Sequence, residues 1–267
     1  MKVCLAGLEN DAHANIIHEQ GIPNGLWSCF RLAFRRFKNA RISSKIKMPI
    51  IERLHYETKI MDSGLFSLMF GKYRELCTNE NDVLRWYDAM IETIYEHDIR
   101  STIVECDCQK ITSPQFAWKL REKMRNDLPN HEIINVFHLE DGPAGFERLI
   151  EFSDYVAISV PELRIAYGKH HIEKMIPLGM KVISKNKKLH YLGFTSFQSI
   201  HKCRFATSCD STSWIAAVRY PQIGWKSGLD HRLEWREKLS AYACKWYDKA
   251  AFLGGSQPRR KNQKTKD

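Results

Sequence analysis

The chain has 267 residues, of which 43% are hydrophobic and 27% charged, and its formal net charge is +10. That length suits one large domain with its own core, or one barrel of the usual (β/α)8 size. No window approaches the roughly 18 apolar residues needed to span a bilayer, and the scattered cysteines form no CxxC pair, so membrane-helix and disulfide-scaffold classes are excluded.

Taken in chain order, short β-like runs alternate with helical segments. Residues 2–7 read as a first strand; the apolar run there is too short for a signal peptide, and Glu9 and Asp11 follow, so a cytoplasmic protein is expected. Residues 31–47 carry Arg31, Arg35, Arg36, Lys38, Arg41, Lys45 and Lys47 without an acidic residue. Such a run suits a polyanionic partner, because neutralised phosphates release counterions. Phe30, Phe34 and Phe37 alternate with the bases; they offer stacking surface, or equally the buried stripe of an ordinary helix.

Residues 58–61 read as the next strand, followed by the turn Asp62-Ser63-Gly64. Val83, Trp86, Tyr87, Met90, Ile91, Ile94 and Tyr95 keep helical spacing. Strands are then expected at residues 102–107, 133–138, 155–159, 189–194 and 204–209, with a final one at 215–219. Phe146, Leu149 and Ile150 mark a helix with Pro143 in its first turn. A long helix over residues 231–253 closes the fold. Cys106 and Cys108 share a strand face and read as buried thiols, while Cys203 and Cys209 with a nearby His have irregular spacing for zinc. The alternation predicts a parallel α/β sheet, and about eight strands predict a closed TIM-type barrel in a single domain over residues 1–253. Residues 254–267, with Arg259, Arg260, Lys261, Lys264 and Lys266, are expected to be a basic, disordered tail. The absence of GxGxxG and GxxxxGK[ST] elements argues against dinucleotide and P-loop sites.

Catalytic groups of parallel barrels sit at the C-terminal ends of the strands. Those ends here carry Asp62, then Glu105 and Asp107, then His138 with Glu140 and Asp141, and later Gly193-Phe194-Thr195-Ser196 and Asp210-Ser211-Thr212-Ser213-Trp214. Period-two alternation puts Glu105 and Asp107 on one face. Ser113 and Ser196 read as helix N-caps. Acidic groups from several strands suit either divalent-metal chemistry, with His138 or His190 assisting, or displacement at a sugar C1′ by a carboxylate nucleophile.

Met61-Asp62-Ser63-Gly64-Leu65-Phe66 resembles the Asp-Ser-Gly-Gly-Phe element of the tRNA-guanine transglycosylases. With Val104-Glu105-Cys106-Asp107, Asp154-Tyr155-Val156-Ala157-Ile158, His190-Tyr191-Leu192-Gly193-Phe194-Thr195 and Asp210-Ser211-Thr212-Ser213-Trp214, the chain resembles most the compact, phage-type DNA transglycosylases that exchange guanine for a 7-deazaguanine. The ordered set spans about residues 1–220. The resemblance implies catalytic roles for Asp62, as the proton-handling group, and Asp210, as the nucleophile. It implies base recognition by Asp107, with Ser63, Glu105, His138 and Gly193 around the base. The basic residues Arg31 to Lys47 would hold phosphates, and Arg219 would contribute near the nucleophile. No cofactor and no site metal are implied; the partners are DNA, or tRNA, and a free 7-deazaguanine base.

Two departures bear on the polymer. The tRNA enzymes carry a zinc-binding CxCxxC…His element after the nucleophile strand, whereas Cys244 stands alone in that region; they also have a second Asp where this chain has Ser213. The shorter chain and the missing element favour DNA over tRNA. The competing readings are a metal-dependent barrel hydrolase using Asp62, Asp107, His138 and Asp210, and a non-enzymatic nucleic-acid-binding barrel.

Overall fold

In the computed structural model, which describes residues 1–38, 47–194, 196–220 and 234–260, strands and helices alternate from end to end. They are β1 (Lys2–Ala6), α1 (Asp11–Glu19), β2 (Asn24–Ser28), α2 (Phe30–Phe37), α3 (Ile50–Arg53), β3 (Thr58–Asp62), α4 (Leu65–Phe70) and α5 (Glu80–Glu96). There follow β4 (Thr102–Val104), α6 (Pro114–Asp127), β5 (Ile133–Phe137), α7 (Gly142–Phe152), β6 (Tyr155–Ser159), α8 (Val160–Tyr167) and α9 (His171–Ser184). The last elements are β7 (Lys188–Leu192), α10 (Phe197–Ile200), β8 (Ser208–Ser211), α11 (Ser213–Arg219) and α12 (Trp235–Gly254). All strand pairs are parallel, and β8 pairs with β1 to close the barrel. The fold is a (β/α)8 TIM-type barrel. Among the described residues no helix is long and apolar enough to cross a membrane.

Alternation along each strand splits the core in two. Cys4, Ala6, Leu26, Ile60, Val104, Ile134, Val136, Tyr155 and Ala157 fill the barrel interior as one buried cluster. Their neighbours of opposite parity, among them Trp27, Met61, Ile103, Ile158, Leu189 and Tyr191, join the larger cluster beneath the surrounding helices. Helix starts follow local chemistry: Asn10, Asn79 and Ser113 accept hydrogen bonds from the first-turn backbone of α1, α5 and α6. Ser196 makes no such side-chain cap; its hydroxyl meets that of Ser199 instead.

Three sequence expectations are corrected. Residues 24–28 form a strand that was not expected, because Pro23, Asn24 and Gly25 imitate a turn. Gly25 leaves room for packing: a Cβ there would lie 2.5 Å from Leu8 Cδ1, which would have to shift. Residues 215–219 are helical rather than a strand, since a short apolar run carries no period of its own. The third concerns the tail. Residues 255–260 are held against the N-terminal face of the barrel: Arg260 N–H donates to the Gly21 carbonyl at 2.9 Å, Arg259 forks onto Asp248 at 2.7 and 2.8 Å, and Arg260 reaches Glu57 at 2.8 Å. Residues 261–267, like 231–233 of the expected long helix, lie outside the described residues.

Candidate active site

The chain leaves β3 at Asp62 and enters α4 through a turn that only glycine allows. Gly64 adopts φ +75°, and a Cβ there would sit 2.8 Å from the Phe30 backbone. Its N–H donates to Asp62 Oδ2 at 3.0 Å, which fixes the carboxylate at the strand end. Asp62 shares the inward parity of Ile60, so it overhangs the C-terminal mouth of the barrel. Burial, reinforced by the negative charges of Asp107 and Asp210, pushes its carboxyl up to about 7, against the opposing hydrogen bonds from Gly64 and Ser28.

Asp210, on β8, is 7% exposed and faces the same mouth. Its Oδ1 accepts from Gly193 N–H at 2.8 Å and lies 3.2 Å from His190 Nε2. Gly193 takes φ +64° after β7, so it turns its amide onto the carboxylate; expected around the base, it is a donor to Asp210 here.

Asp107 is the third carboxylate. Its own N–H bonds back to the Glu105 carbonyl, so the chain bends sharply after β4. Asp107 Oδ2 lies 3.2 Å from His138 Nε2, and His138 Nδ1 lies 3.0 Å from Glu162 Oε2. Burial disfavours a charged His138, but the two carboxylates overcome it and raise the ring to about 10. Burial likewise opposes ionisation of Glu162, yet His138 and Lys110 hold it down to about 2. His138 therefore sits between two carboxylates that favour its charged form, and it orients Asp107 rather than facing the open mouth.

Two base-contact expectations fail on geometry. Glu105 has the outward parity of β4 and does not share a face with Asp107, because the strand ends at Val104. It is 2% exposed and fully engaged: Arg121 Nε at 2.9 and 3.1 Å, Asn135 Nδ2 at 2.6 Å and Val136 N–H at 3.0 Å. Ser63 is fully buried under the turn, with its carbonyl accepting from Trp86 Nε1 at 3.2 Å. Neither is open to a base.

The basic run is only partly a single surface. Arg31, Arg35 and Lys47 line an open cleft of about 540 Å³, with Phe30, Phe34 and Tyr73 along its wall. Ser28, which lies opposite Asp62 across β2 and β3, belongs to the same cleft and links it to the mouth. Among the described residues these three cations form no ion pair. Lys38 caps the Phe34 and Tyr73 rings at 5.3 and 5.5 Å. Arg36 does not belong to this surface: it turns to α5 and is neutralised by Glu92 at 3.0 Å and by Glu96. Arg41 and Lys45 lie outside the described residues. Arg219 is exposed at the far end of α11, about 9 Å along the helix from its first turn, and no contact among the described residues joins it to Asp210.

The metal alternatives fare differently. Cys203 and Cys209 are buried free thiols, and among the described residues they belong to no metal-ligand group. His138, Glu140 and Glu162 do converge, but Lys110 already occupies that spot as a cation, 2.6 Å from Glu162 and in contact with Glu140. Glu162 and Arg121 escaped the sequence reading. The signal for Glu162 was an acid in the first turn after β6, in Val160-Pro161-Glu162; Arg121 had none beyond a charge on a helix.

No protein-family model matches the chain, and no curated protein matches it.

Proposed function

We propose that the protein is a base-exchange glycosyltransferase that replaces guanine in DNA with a 7-deazaguanine through a covalent aspartyl-sugar intermediate. The observation that carries this reading is the meeting of three carboxylates, Asp62, Asp107 and Asp210, at one barrel mouth, with Asp62 pushed to a pKa of about 7. A carboxyl poised there donates and accepts protons with similar ease near neutrality. Asp210 is the nucleophile: its carboxylate attacks C1′ as the C1′–N9 bond breaks, and the departing electron pair on guanine N9 takes the proton of Asp62. The entering base returns a proton from its own N9 to Asp62 and attacks C1′, breaking the ester and restoring the Asp210 carboxylate. Two inversions retain configuration. Asp107, steadied by His138, accepts from the N–H edge of the base.

The target nucleotide has to be extruded or single-stranded for C1′ to be reached. Arg31, Arg35 and Lys47, which form no ion pair among the described residues, outnumber Glu9 and Asp11 in this cleft and, beside its aromatic wall, suit the flanking phosphates and bases of such a strand. Arg31→Ala with Arg35→Ala is expected to weaken single-stranded DNA binding and to lower the slope of log K against log salt by about 1.4. Fluorescence anisotropy over a salt series measures it; an unchanged slope would remove the cleft from the binding surface.

The reading is tested by incubating the protein with guanosine-containing DNA, or tRNA, and a 7-deazaguanine, then analysing nucleosides by mass spectrometry. Exchange into DNA is expected; no exchange into either polymer would refute it. The pH profile carries the sign of Asp62. The cleavage half-reaction uses its protonated form, which is lost as pH rises through about 7, so trapped intermediate should form more slowly above that pH. Asp62→Asn is expected to remove that limb together with most of the rate.

A further inference from the structure

Beneath Asp210, a line of polar side chains runs down the otherwise apolar interior of the barrel. Tyr155 opens β6, Ser208 opens β8 and His190 sits mid-way along β7; they are 4%, 0% and 0% exposed. The Tyr155 hydroxyl is 2.6 Å from Ser208 Oγ, Ser208 Oγ contacts His190 Nδ1, and His190 Nε2 is 3.2 Å from Asp210 Oδ1. Burial of this kind is tolerated only where donors and acceptors match.

Proton counting gives the line one direction. An ionised carboxylate only accepts, so His190 Nε2 carries a proton and donates it to Asp210. A neutral ring then offers Nδ1 as an acceptor, and Ser208 donates to it. Ser208 in turn accepts from Tyr155. A doubly protonated ring would donate to Ser208 and leave either the Ser208 or the Tyr155 proton in the barrel interior without an acceptor among the described residues.

The second donor to Asp210 makes the consequence specific. Gly193 N–H binds the same oxygen, Oδ1, at 2.8 Å. Among the described residues Oδ2 has no hydrogen-bond partner.

We infer that His190 is a positioning residue: together with Gly193 it pins Asp210 Oδ1 and so presents Oδ2 as the attacking oxygen, while Ser208 and Tyr155 set the tautomer of His190. The role of Oδ2 rests on the base-exchange reading; the tautomer rests on the barrel geometry alone. Holding a nucleophile in a near-attack geometry acts on the chemical step rather than on substrate affinity.

Two arms test it. ¹⁵N-edited NMR of the histidine side chains in the intact chain, with His190→Gln identifying the resonance, is expected to show a neutral ring with its proton on Nε2. Ser208→Ala should erode that bias. In the exchange assay, His190→Phe is expected to lower kcat by roughly 10²-fold with KM for DNA little changed. His190→Gln, whose amide nitrogen donates from the place of Nε2, should recover most of the loss. A proton on Nδ1, or wild-type kcat in folded His190→Phe, would overturn the inference, as would a Gln variant no better than Phe. If His190→Phe fails to fold, Ser208→Ala replaces it, with a smaller fall in kcat expected and an unchanged kcat counting against the relay. Absence of exchange by the wild-type chain refutes the proposed function instead, and the NMR arm still decides the relay.

Discussion

Asp210→Asn is expected to abolish base exchange, lowering the rate by about 10⁴-fold or more, as removal of a nucleophile does elsewhere. The substitution is nearly isosteric. An amide oxygen in the place of Oδ1 still accepts from Gly193 and His190, so the barrel should keep its Tm within about 1–2 °C. What disappears is the anionic oxygen that would form the ester. The clearest readout is the covalent adduct: wild-type protein mixed with guanine-containing DNA and quenched with denaturant should show a shifted band, and Asp210→Asn none. Binding of single-stranded DNA should survive, because Arg31, Arg35 and Lys47 are untouched. A variant that still exchanges labelled guanine at the wild-type rate would sink the nucleophile assignment.

Arg121→Met is expected to cost about 3–5 kcal/mol of stability. Arg121 is 3% exposed and binds Glu105, Asp141 and the Val136 carbonyl, the last at 2.6 Å. With the guanidinium gone, the Glu105 carboxylate is buried without a cation, where burial already drives its pKa upward. For a chain of this size the loss corresponds to a fall in Tm of roughly 6–20 °C. Adding Glu105→Gln should return part of it, since a neutral amide needs no counter-charge. A fall in Tm under about 2 °C would show that the pair stabilises little. The same clamp bridges the ends of β4 and β5, from which Asp107 and His138 project, so residual activity should fall faster than folded protein does.

How far the sequence announced this molecule depends on which residues are asked. Val83, Trp86, Tyr87, Met90 and Ile94 carry a 3.6-residue period and form the buried face of α5. Strands flanked by unambiguous helices were equally legible, and their acidic ends located the mouth. β2 was not, because Gly25 leaves room for Leu8 and Ile51 and, with Asn24, carries little β propensity. Glu105 was misjudged because alternation was carried past the point where β4 stops, and one residue of error reverses a face. Asp62, Asp107 and Asp210 were legible as strand-end acids. The partners of two of them, His190 at Asp210 and the Glu162-paired His138 at Asp107, come from other strands and helices, and only closure of the barrel brings them into reach.

The strap formed by residues 255–260 also settles which way the molecule faces when it is held. Met1 donates to the Gly254 carbonyl at 3.1 Å, and Arg260 is anchored at Gly21 and Glu57, the approaches to β2 and β3. Both points lie on the pole of the barrel opposite the three carboxylates. A bead, surface or affinity handle attached next to Met1 or after Arg260 therefore leaves the mouth turned to solution.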